Sequence, residues 1–148
     1  MAVYQTELCE ITEDNLIDVL RLSVHETQKR LVASNAASIA QGHYSDLAWF
    51  RAIYAGGEAV GFVMLSEDEA KPEYFLWRFM IDVRHQGRGL GRDALLQVIE
   101  RVRQKPGASC LMTSVIPREG NARRFYEKLG FEATGEVEEG EELLRLAF

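Results

Sequence analysis

The sequence predicts a single α/β domain: a mixed, mostly antiparallel sheet of about seven strands with helices on both faces. Three observations carry that prediction. Segments with strand-like and helical apolar spacing alternate in the order β-α-α-β-β-β-α-β-α-β-β. Two short glycine turns, Gly56-Gly57 and Glu139-Gly140, each join neighbouring strand segments as hairpins. A third glycine-rich stretch, Gln86 to Gly91, stands between an apolar strand and an amphipathic helix. At 148 residues, with no repeat, low-complexity tract or linker, the chain is long enough for one core and is not divided.

In chain order, Val3 to Ile11 reads as a first strand. Thr12 is placed to cap the following helix, with Glu13 and Asp14 in its first turn, where the helix dipole favours negative charge. Leu16, Ile17, Leu20 and Val24 recur at helical spacing and predict its buried stripe. A second helix is expected from about Ser34 to Gln41, then strands at Leu47 to Tyr54 and Glu58 to Leu65. The acidic loop Glu67 to Pro72 leads into a central strand, Tyr74 to Val83. The glycine turn opens a helix to Gln104 that buries Ala94, Leu95, Val98, Ile99 and Val102 and is stopped by Pro106-Gly107. Cys110 to Ile116 is a strand, Asn121 to Leu129 a short helix ended by Gly130, and Phe131 to Val137 with Glu142 to Leu146 a closing hairpin.

Composition bounds the function. An apolar fraction of 47% and a charged fraction of 27% are those of an ordinary globular protein. No apolar run is long enough to span a bilayer, and Met1 to Glu10 lacks the basic start and apolar stretch of a secretory signal, so a cytoplasmic location without membrane contact is expected. Cys9 and Cys110 have no metal-spaced neighbours; they read as small buried hydrophobes, and no metal is expected. The net charge of −6 disfavours nucleic acid as a partner. Its distribution is uneven, since Arg78 to Arg124 holds 10 Lys/Arg against 4 Asp/Glu. That is a basic region suited to an anionic ligand inside an otherwise acidic protein.

The turn Gln86-Gly87-Arg88-Gly89-Leu90-Gly91-Arg92 places three alternating glycines before a helix N-terminus, with Arg84, Arg88 and Arg92 around them. Uncovered N–H groups and the positive end of the helix dipole make such a turn an anion site. A dinucleotide fingerprint needs G-x-G-x-x-G and an acid about twenty residues on, where this chain has Gly107-Ala108-Ser109. A P-loop needs G-K-[ST] where this chain has Gly91-Arg92-Asp93. Both readings fail on content.

Gln86 to Gly91 resembles the [QR]-x-x-G-x-[GA] signature of the GCN5-related N-acetyltransferase (GNAT) superfamily. Phe125-Tyr126-Glu127-Lys128-Leu129-Gly130-Phe131 is similar to its second hallmark, [LF]-Y-x-[KR]-x-G-F, and the two stand one helix and one strand apart. Trp77 to Asp82 and Gln28 through Asn35 further resemble the spermine/spermidine (diamine) acetyltransferase branch. The resemblance implies a splayed pair of central strands and acetyl transfer from acetyl-CoA to an amine. It assigns the pyrophosphate to backbone N–H groups of Gln86, Gly87, Arg88, Gly89, Leu90, Gly91 and Arg92, with charge from Arg84, Arg88 and Arg92. Phe79, Met80, Ile81 and Val83 would line the pantetheine arm, with a backbone N–H near Ile81 polarising the thioester carbonyl. Tyr126 would be the general acid for the departing thiolate.

Two departures from the family pattern are expected to matter. The pantetheine-contacting asparagine of many relatives is Glu119 here, with Asn121 two residues later as the substitute, and the strand glutamate that serves some relatives as base is Trp77. Glu73, His25, Glu26 and His43 are the remaining acids and imidazoles that could act through water, and no base is assigned. Acceptor contacts are expected from Glu26, Gln28, Asn35 and Trp77, with Glu136, Glu138, Glu139 and Glu142 from the closing hairpin, a set suited to a polyamine. Alternatives are another amine (an antibiotic, an amino acid, a peptide N-terminus or lysine) and a CoA-binding regulatory module without catalysis. Exposed sheet edges make a homodimer an expectation.

Overall fold

A computed structural model describes residues 3–148; Met1 and Ala2, the first residues of the segment read as free of a signal, lie outside the described residues. Its strands are Thr6–Cys9 (β1), Ala48–Ala55 (β2), Glu58–Asp68 (β3), Glu73–Ile81 (β4), Cys110–Val115 (β5), Glu132–Glu138 (β6) and Glu141–Ala147 (β7). Its helices are Leu16–Leu20 (α1), Asn35–His43 (α2), Leu90–Arg103 (α3) and Arg123–Lys128 (α4). The strands form one sheet in the order β1-β2-β3-β4-β5-β7-β6, in which only β4 and β5 run parallel.

β3 explains where the core sits. Ala59 to Leu65 are all buried, because this central strand is covered on both faces. Val63 and Leu65 join Leu95, Val98, Leu111 and Leu144 under α3 and α4. Phe62 and Met64 join Val19, Ile39 and Met80 under α1 and α2. The predicted inward face of α3 is buried residue for residue.

The first helix departs from expectation. It is five residues long, and Ile17 and Leu20 are exposed while Val19 and Leu22 are buried. The cause is tertiary. Asn15 accepts from the Thr12 N–H and donates to the Glu10 carbonyl, so the turn at Thr12 ends before the helix starts. Beyond Arg21, the Ser23 N–H is bound by Asp82 and the Ser23 carbonyl accepts from Val83 N–H, which draws the chain out of helix. The cysteines also differ from expectation, being half-buried; burial pushes the Cys9 thiol up.

α3 holds the sheet edge through Asp93. Its carboxylate accepts from the Gln5 N–H (3.0 Å), the Thr6 N–H (2.9 Å) and the Thr6 hydroxyl (2.6 Å), fastening β1 beside the helix start. Burial by itself would raise the Asp93 carboxyl, but these hydrogen bonds together hold it below the usual carboxylate range. The tie is therefore complete above the ordinary carboxylate pKa of about 4 and is lost as pH falls through the lower folded value. Asp93→Ala is expected to reduce unfolding free energy by about 2–3 kcal/mol in urea titrations at neutral pH. A loss below about 0.5 kcal/mol would show that solvent satisfies the β1 edge equally well.

Candidate active site

The site begins where β4 leaves β5. These strands share only two register pairs, Phe75↔Met112 and Leu76↔Thr113. On its other side, β4 pairs Leu76 with Leu65 and Arg78 with Met64, so Trp77 is an extra residue in the ladder. Such a bulge bends the strand. Past Trp77, β4 diverges from β5 and the predicted splay opens. Thr113 stands at its apex, donating its hydroxyl to the Leu76 carbonyl at 3.0 Å. The splay widens into a cleft of about 1450 Å³.

The glycine turn closes one end of this cleft. Asp82, 2% exposed, caps the turn Val83–His85 and accepts from Ser23 N–H (2.8 Å), Arg84 N–H (3.1 Å) and Arg84 Nε (2.8 Å). Burial alone would push its carboxyl up; the bonds from Ser23 and Arg84 hold it down. Gln86 Nε2 donates to the Ile81 carbonyl (2.9 Å) and to Gln28 Oε1 (3.0 Å), joining the end of β4, the turn and the segment before α2. Gly87 and Gly89 have φ of +76° and +78°, a conformation side chains other than glycine disfavour. Gly89 is the N-cap of α3, so the unpaired first-turn N–H groups of a 14-residue helix lie behind the turn.

Tyr126, on α4, enters from the opposite wall. Its side chain is enclosed by Phe125 and Phe131, with ring centroids 5.4 Å from each, and Phe125 stacks on Phe79 of β4 at 5.9 Å. Burial pushes the Tyr126 phenol up to about 12, against a smaller opposing pull from the neighbouring Thr113 hydroxyl. The phenol therefore keeps its proton across the working pH range of an enzyme.

Of the expected donor-side residues, Phe79, Met80, Ile81, Gln86, Gly87, Gly89, Leu90, Gly91, Arg92 and Asn121 line the cleft with Tyr126. Gln28 and Trp77 line its other side. The remaining expected residues lie off its walls. Val83 is part-exposed beyond the strand end, and Arg84 is held in an ion pair by Asp82. Arg88 stands outside the lining, its guanidinium on His85. Glu26 is solvent-exposed and paired with Lys29. Asn35 is 4% exposed, donating to the Val19 carbonyl, and ties α1 to α2 instead of facing a substrate. Asn121 lines the cleft, but its amide donates to the Ile116 carbonyl and accepts from Arg123 N–H, so it holds the β5–α4 turn.

The hairpin acids divide in the same way. Glu138 and Glu139 reach the cleft, as do Glu73 and Glu141, whereas Glu142 pairs with Arg123 and Glu136 is exposed on β6. His43 packs edge-on against Phe50, and His25 caps the turn Glu26–Gln28. Sequence reasoning passed over Thr113 and Arg78. Thr113 carries no motif signal, only the inward alternation of β5. Arg78 lies half-buried in the cleft, donating to the Trp77 carbonyl and Gln41, and burial pushes its guanidinium down. Among the described residues no cluster of three His, Cys, Asp or Glu could hold a metal.

Residues 12–131 match the Acetyltransferase (GNAT) family. The chain belongs to that family. It is an acetyltransferase, and acetyl-CoA is its acetyl donor. The chain is similar to the spermine/spermidine N(1)-acetyltransferase of Bacillus subtilis strain 168, at 28% identity over 86% of this chain and 88% of that protein. Its fold is similar to that of an acetyltransferase from Thermus thermophilus (TM-score 0.76, 20% identity, all of both chains). It is also similar to that of the PaiA N-acetyltransferase of Thermoplasma acidophilum in complex with coenzyme A (TM-score 0.71, 16% identity, 97% of this chain and 99% of that one). No helix among the described residues is long and apolar enough to cross a membrane.

Proposed function

We propose that this acetyltransferase modifies a primary amine of a small polyamine or diamine by direct transfer, with Tyr126 as general acid. The observation that carries the reading is the buried, protonated phenol beside the β4/β5 splay, lining one cleft that also holds the glycine turn. The cleft fits the donor: the turn has uncovered N–H groups at a helix start, and the diverging edge of β4 can accept an amide-bearing arm as an added strand. When bound, acetyl-CoA supplies the activated acetyl thioester. Around it the chain excludes water with Phe79, Phe125 and Met80, and Tyr126 delivers its proton to the departing sulfur.

The polyamine assignment is supported by the Bacillus relative and by the lining acids Glu73, Glu138, Glu139 and Glu141 beside Trp77. An acetyl-CoA-coupled thiol-release screen of polyamines, aminoglycosides, amino acids and peptides tests it. The expected result is the highest kcat/KM for a polyamine; a higher value for another amine class overturns that choice. Coenzyme A binding without thiol release for any amine in the panel would favour a CoA-binding module instead. With a productive amine, kcat/KM should rise with pH as the amine deprotonates. No alkaline loss from Tyr126 is expected until pH approaches about 12, and a falling limb near pH 9 that disappears in Tyr126→Phe would contradict the raised phenol.

A further inference from the structure

The turn between β4 and α3 carries a second device that its glycines do not explain. Three arginines flank these glycines, yet they are held differently. Arg84 is neutralised by Asp82 at 2.8 Å. Arg88 and Arg92 make no ion pair among the described residues. Arg88 stands between the two left-handed glycines, where the backbone restrains a long side chain least. Its guanidinium is nevertheless located, because Nη1 lies 2.9 Å from Nδ1 of His85.

A guanidinium can only donate, so His85 Nδ1 must accept and the ring proton must sit on Nε2. His85 is 9% exposed, its Nε2 is buried without a hydrogen-bond partner, and the nearest acid is Glu58 Oε1 at 3.6 Å. The imidazole thus holds the cation on its Nδ1 side, while Glu58, at the start of β3, lies beyond hydrogen-bond distance on its Nε2 side. We propose that His85 is a positioning residue that presents Arg88 to the phosphates of coenzyme A. This rests on the reading of the glycine turn as the phosphate site.

Calorimetric titration of coenzyme A into the full-length chain, with thermal melts to confirm folding, tests this. Arg88→Ala and His85→Phe are each expected to weaken binding about tenfold at pH 8, and the double variant no more than either alone. His85→Asn, whose Oδ1 can replace Nδ1 as acceptor, should bind within about threefold of wild type. Normal binding by His85→Phe beside weak binding by Arg88→Ala overturns the positioning role and leaves the phosphate site standing. Normal binding by Arg88→Ala overturns both the contact and the proposal. Independent, multiplicative losses, or binding by His85→Asn as weak as that of His85→Phe, also overturn it.

Discussion

Tyr126→Phe is expected to lower kcat/KM by about 10²–10³-fold while the affinity for coenzyme A changes less than about threefold. The ring is packing as well as chemistry: it touches Phe125 and Phe131, and those contacts survive in phenylalanine. Only the hydroxyl is removed, so the variant separates proton transfer from folding. A phenol near 12 holds its proton at neutral pH, and on the proposed mechanism it would stabilise negative charge on sulfur as that charge develops. Steady-state rates and a binding titration on the same preparation decide the matter. Turnover equal to wild type removes Tyr126 as the acid.

Valine at Gly89 should weaken coenzyme A binding by about 10–100-fold, the equivalent of about 1–3 kcal/mol of backbone strain in the turn proposed to hold the phosphates. Nothing lies within 4 Å of a Cβ built at Gly89, so the effect comes from its φ of +78°, not from a clash. Gly91 gives the contrasting case. It sits inside the first turn of α3, and a Cβ there would meet Ile81 at 3.4 Å and Phe125 at 3.6 Å, both cleft residues. Gly91→Val should therefore weaken binding by narrowing the cleft, with a smaller loss for Gly91→Ala. Tight binding retained by both valine variants, measured by calorimetry, would sink the phosphate assignment.

Much of this candidate site is legible in the sequence. Alternating glycines at a strand-to-helix junction encode their own conformation, because positive φ is a local steric matter, and Gly87 and Gly89 adopt it. Tyr126 was legible through the motif around it. Arg84 was not, since its role depends on Asp82 being buried two residues away and bound from Ser23, 59 residues distant in the chain. Asn35 was misplaced for a similar reason: a polar residue at the mouth of a helix reads as available until the Val19 carbonyl claims it. Thr113 acquires importance only because β4 and β5 part immediately beyond it.

The seven-stranded α/β order, the two hairpins, the buried face of α3 and the backbone conformation of the glycine turn are all written in the chain. Those features rest on periodicity and on backbone sterics within a few residues. Which charges are free was settled only by packing. It neutralised Arg84 with Asp82, fastened β1 to Asp93, set Arg88 against His85 and shortened α1. Each of these is a partnership between side chains and backbone groups whose worth depends on burial, and burial exists only once distant segments have packed together.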